Sequence, residues 1–151
     1  MQPSPPPDPA ADDAVPAPDE AIDVDGLVRK FQKELNSGLI ALVLLSVLDR
    51  APDDLYGYQI AKRLQGMSDA GSPMKQGALY PVLRMLSAHG LLASRVVPSY
   101  AGPPRRYYRI TVAGRETLQR WLATWTSTRD FVNEVALTGA APATPTESER
   151  T

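Results

Sequence analysis

Lys75, Arg84, Arg95, Arg105 and Arg106 are five cations set along the middle of a 151-residue chain, interleaved with tyrosines. Such groups neutralise phosphates through charge-assisted hydrogen bonds to anionic oxygens. Gln76 offers an adjacent donor and acceptor, the pair that adenine matches in the major groove, and Ala78 is small enough to meet a thymine methyl. Tyr56, Gly77 and Tyr80 lie in the same stretches and join the DNA-facing set. The chemistry these residues could do is recognition of double-stranded DNA. Catalysis is not expected. The single histidine, His89, adjoins Gly90 with no carboxylate partner in view, and there is no glycine-rich phosphate loop, metal-ligand spacing or paired-carboxylate motif. With no cysteine, disulfide scaffolds and cysteine-rich zinc sites are excluded. No cofactor is implied.

The element that must present these groups spans 75–90. Leu79, Val82, Leu83 and Leu86 recur at helical spacing and make one buried stripe, while Gln76, Tyr80, Arg84 and Ser87 fall on another, more polar face. Gly90 suits the left-handed residue that closes a helix. Pro81 lacks an N–H, so the helix is expected to start late, near Gly77, or to bend. Its first turn leaves N–H groups for a phosphate. Upstream, 27–50 reads as a buried first helix and 55–67 as a second, with Tyr56, Ile60 and Leu64 on one stripe. The turn-rich link 68–73 joins it to the central helix, the helix-turn-helix arrangement. Downstream, 91–97 and 105–111 read as strands around the turn 98–104. That hairpin is a wing with Arg105 and Arg106 at its base. The fold class expected is mainly α with a small β-hairpin: a winged helix-turn-helix plus a C-terminal dimerisation helix.

The net charge of −1 hides an asymmetry. Residues 1–26 carry seven acidic groups, seven prolines and no Lys or Arg, whereas 27–137 carry 15 Lys and Arg against 8 Asp and Glu, net +7. A basic body behind an acidic arm suits a polyanionic partner. The arm at 1–26 and the tail at 138–151 have too little apolar surface to offset ordering entropy, and disorder is expected of both. Between them lie a DNA-binding domain at 27–111 and a helix at 112–137, capped by Thr111. That last helix bears Leu118, Trp121, Leu122, Trp125, Val132 and Val135, more apolar surface than a closed domain needs. A second copy of the chain is the expected partner. The longest apolar run, 39–48, is too short to span a bilayer, and the N-terminus lacks a signal-peptide pattern. No membrane partner and a cytoplasmic location are expected.

The stretches Leu55-Tyr56-Gly57-Tyr58-Gln59-Ile60 and Gly77-Ala78-Leu79-Tyr80-Pro81-Val82-Leu83 are followed by His89-Gly90-Leu91-Leu92. Then come Pro104-Arg105-Arg106-Tyr107-Tyr108-Arg109-Ile110-Thr111 and Ala113-Gly114-Arg115. In order and spacing this set resembles the PadR transcriptional regulators. The resemblance implies a homodimeric winged-helix protein, usually a repressor of its own or a neighbouring operon, and a family that tolerates proline at position 81. Multidrug-responsive members further imply that a tryptophan matching Trp125 lines a pore between subunits and stacks on flat aromatic compounds. Dimer packing is the first role expected of Trp121 and Trp125, with binding of a small aromatic effector as the alternative that this resemblance raises. Family members commonly carry Ser or Thr where this chain has Lys75 and Ala78, so base preference does not transfer. The acidic arm lies outside the family's core. Two readings compete with a repressor: a winged helix serving as a protein–protein interaction module, and a ligand-sequestering dimer without DNA binding.

Overall fold

Ile40, Leu44, Leu45, Val47 and Leu48 crowd the C-terminal half of the first helix, α1 (Val24–Arg50), and all are buried. The computed structural model describes residues 1–6, 21–67 and 72–138. Parts of the expected arm, link and tail, at 7–20, 68–71 and 139–151, lie outside the described residues. The chain divides into two units, Met1–Glu34 and Leu35–Thr151. In the first, Val24, Leu27, Val28 and Phe31 follow helical spacing and are exposed. Asp23 accepts from the Gly26 N–H at 2.9 Å there and closes the helix start.

Because α1 is continuous over 27 residues, it is longer than the apolar run within it. By length and composition it could cross a bilayer, with a mean hydropathy of 1.3 over its best window. The buried leucines of 40–48 give that apolarity another cause: they are the floor of the second unit's core.

The second unit is a winged helix. Helices α2 (Gly57–Gly66) and α3 (Gln76–Ala88) precede a hairpin of β2 (Leu92–Val97) and β3 (Arg105–Ile110), and α4 (Val112–Leu137) follows. A two-residue strand, β1 (Leu55–Tyr56), pairs with β3, so the antiparallel sheet has three strands in the order β1-β3-β2. The expected second helix therefore starts two residues late. Leu55 faces Tyr108 and Tyr56 faces Tyr107 in that ladder, which holds Tyr56 extended. Its N–H donates to Gln59 Oε1 at 3.2 Å, starting α2. Ile60, Ala61 and Leu64 of α2 meet Leu79, Leu83 and Leu86 of α3 in the core, with Leu55, Leu92, Tyr108 and Ile110 beneath. Each such leucine contributes about 1.5–3 kcal/mol on burial.

Helix α3 starts at Gln76, one residue before the expected Gly77, and runs on through Pro81. The proline is exposed, and the carbonyl its missing N–H would have bonded, that of Gly77, lies in the exposed first turn. The far end closes as a Schellman motif. Leu91 N–H donates to Leu86 O at 2.9 Å and Gly90 N–H to Ser87 O at 3.0 Å, with Gly90 at φ 75°.

Candidate nucleic-acid interface

Five of the chain's six tyrosines converge where α2, α3 and the wing meet. Tyr56, at the head of α2, is the centre of one group. Arg105 lies over its ring at 4.7 Å, Tyr107 meets it edge-on at 5.4 Å and Tyr58 stacks beside it at 6.3 Å. A guanidinium stacked this way keeps its N–H edge for an anion.

The second group is built on α3. The Tyr80 ring lies against Gly57, where an added Cβ would run into it. Gln76 Nε2 donates to the Tyr80 hydroxyl at 3.3 Å, one helical turn away. Arg84 follows one turn later. Beneath them Tyr108 is buried in the sheet, and burial pushes its phenol above the usual value, opposed by the Arg106 and Arg84 charges. Arg106 donates to Ser94 Oγ across the hairpin at 3.1 Å.

Tyr56, Tyr80, Arg84, Arg105 and Arg106 thus line a single cleft of about 260 Å³. Among the described residues, Arg29, Arg95, Arg115, Arg120 and Arg129 pair with carboxylates, whereas Arg84, Arg105 and Arg106 do not. The cleft therefore gathers cations whose charge is not cancelled locally. Lys75, Gly77 and Ala78 are exposed at the N-cap and first turn of α3 and do not line it.

Arg95 is placed differently. Its Nε lies 3.0 Å from Asp54 Oδ2 and its guanidinium sits over the Tyr107 ring at 5.1 Å. It braces the wing against the β1 segment with part of its charge spent. Sequence reasoning overlooked Asp54, Gly57, Ser94, Tyr107 and Tyr108 as parts of the site. The density of tyrosines could have found Tyr107 and Tyr108, whereas Asp54, Gly57 and Ser94 join through contacts remote in sequence.

The apolar set on α4 also splits. Leu118 is 3 % exposed and belongs to this chain's own core, and Trp121 packs against that core. Trp125 is half-buried, while Leu122, Val132 and Val135 are exposed. Phe131 and Leu137, absent from the expected set, are exposed as well.

A winged helix with an uncompensated cationic cleft beside the first turn of its third helix defines a class of DNA-binding proteins. The sequence profile of the transcriptional regulator PadR-like family matches residues 44–120. A PadR family transcriptional regulator from Eggerthella lenta is 34 % identical; the match covers 76 % of this chain and 96 % of that one, with a TM-score of 0.64. A transcriptional regulator from Clostridium thermocellum is 26 % identical over 68 % of this chain and 98 % of its own, with a TM-score of 0.62. A transcriptional regulator of Mycobacterium tuberculosis is 39 % identical over 94 residues, 60 % of this chain and 76 % of the relative. The chain belongs to the PadR-like family of transcriptional regulators. It is a DNA-binding regulator and not an enzyme.

Proposed function

We propose that the chain is a repressor that binds a palindromic operator as a homodimer and is released by a small aromatic effector. The observation that carries the DNA-facing part is the cleft, where Arg84, Arg105 and Arg106 lack carboxylate partners among the described residues. The first turn of α3 enters the major groove with Gln76 and Ala78 toward base edges. Lys75, Arg84, Arg105 and Arg106 take phosphates, as does the start of α3 through its N–H groups. Tyr56, Gly77 and Tyr80 complete the contact surface, and Arg95 contributes less because Asp54 already holds it.

Helix α4 is the dimerisation element in this reading. Leu122, Val132 and Val135 form an exposed apolar stripe that a second copy would cover by two-fold symmetry. Two copies then set two α3 helices about 34–36 Å apart on successive major grooves. Trp121 and Trp125, four residues apart on α4, supply flat faces for an aromatic effector. Such a ligand acts by favouring a dimer whose α3 helices no longer match that spacing, because it shifts only states it binds differently. The site of action is the cytoplasm.

Footprinting on the chain's own upstream DNA, together with sedimentation of the complex, tests this reading. Two symmetric protected half-sites and two chains per duplex are expected. One protected site holding one chain would contradict it.

A further inference from the structure

We infer that the Tyr80 hydroxyl makes Gln76 select adenine over guanine, so that Tyr80 is a specificity-determining positioning residue. The inference rests on the proposed entry of the first α3 turn into the major groove. Gln76 is the first residue of α3 and is exposed, where an unheld side chain would rotate its amide freely. Instead its Nε2 donates to the Tyr80 hydroxyl at 3.3 Å. Tyr80 cannot settle toward α2, because its ring already lies against Gly57. One helix therefore seats the ring, and the ring seats the amide.

The hydrogen-bond inventory then decides the base. A glutamine amide has two N–H donors and one acceptor oxygen. With one donor committed to Tyr80, one donor and the oxygen are left. Adenine needs that combination, since it offers the N7 acceptor beside the N6 donor. Guanine offers two acceptors, N7 and O6, and would require both amide hydrogens. Tyr80 thus removes the donor that a guanine contact would use. Holding the amide also lowers the rotamer entropy lost on binding.

The test uses the full chain and a duplex selected from a randomised pool, with each adenine of the selected site replaced in turn by guanine. Dissociation constants are measured for the parent, Gln76→Ala, Tyr80→Phe and the double variant. Tyr80→Phe removes the hydroxyl and leaves the ring against Gly57. The parent is expected to prefer adenine by about five- to 150-fold at one position. Gln76→Ala should abolish that preference and Tyr80→Phe should remove most of it. In the Gln76→Ala background Tyr80→Phe should add nothing, the mark of two residues acting as one unit. Any Tyr80→Phe loss common to all duplexes should be smaller than the fall in the adenine-to-guanine ratio.

Full adenine preference in Tyr80→Phe, with loss in Gln76→Ala, would overturn the inference. So would a Tyr80→Phe loss shared equally by all duplexes with a shallower salt dependence, which would make Tyr80 a phosphate contact. Preference surviving in Gln76→Ala would overturn it too, moving base reading to another residue while the repressor reading stands. A parent that binds no duplex in a salt-dependent way would sink both.

Discussion

The Thr111 hydroxyl that caps α4 donates to the Gly90 carbonyl oxygen at 2.7 Å. The same hydroxyl lies 3.1 Å from the Leu91 carbonyl and accepts from the Gly114 N–H at 3.0 Å. Gly90 closes α3, so the root of the last helix is bonded to the end of the helix that carries Gln76 and Arg84. Arg115, on the first turn of α4, adds a 3.2 Å ion pair with Asp49 near the end of α1. These bonds tie the base of α4 to the end of α3, and the proposed effector on α4 would act on the recognition helix through them.

Thr111→Val keeps the shape of the cap and removes its hydrogen bonds. A loss of about 1–2 kcal/mol of folding stability is expected, as for other lost N-caps. Urea unfolding checks this: the midpoint should fall with the slope unchanged. Thr111→Ser should recover most of the loss.

Leu118 and Val135 both lie on α4, and the two should respond oppositely. Leu118 is buried, so Leu118→Ala should cost about 2–5 kcal/mol of stability. Val135 is 67 % exposed, so Val135→Glu should leave the fold's stability within about 0.5 kcal/mol when monomers are compared. Its effect is expected in sedimentation, as a shift from dimer toward monomer.

Gly57→Ala forces the Tyr80 ring to move, because the new methyl would occupy its place. The ring is partly exposed and can yield, so the stability change should stay below about 1 kcal/mol. Operator affinity should fall by about tenfold or more, the scale of one good base contact. Parallel unfolding and binding curves separate the two effects.

Tyr108 supplies a pH signature. Burial raises its phenol above the ordinary value near 10, so the folded state holds the proton more tightly than the unfolded chain does. Its stabilising contribution is complete below that ordinary value and is lost as pH rises through the higher folded one. Stability should therefore decline above about pH 10, and Tyr108→Phe should flatten that decline. Denaturant midpoints measured across the alkaline range test it.

Much of the fold was legible because periodicity reports burial directly. Leu79, Leu83 and Leu86 announced the inner face of α3, and Gly90 announced its end. What escaped were features made by contacts remote in sequence. Leu55 and Tyr56 look like the first turn of a helix until β3 pairs with them, and two residues carry no period of their own. Leu118 and Val135 fall in one apolar set, yet the first packs into the core and the second does not; only the position of α4 on the core separates them. The cations were legible as a set. Which of them are spent was not, since the Asp54–Arg95 pair joins residues 41 apart.

Binding of the purified full chain to its own upstream DNA, titrated against salt with and without Arg84→Ala, tests DNA recognition by this cleft. A regulator making about 6–10 phosphate contacts should lose about 10³–10⁵ in affinity between roughly 50 and 200 mM salt. Arg84→Ala should weaken binding and make the log–log slope shallower by about one contact. Weak binding, indifferent both to salt and to Arg84, would rule out DNA recognition through the cleft and leave the winged helix as a protein-binding module.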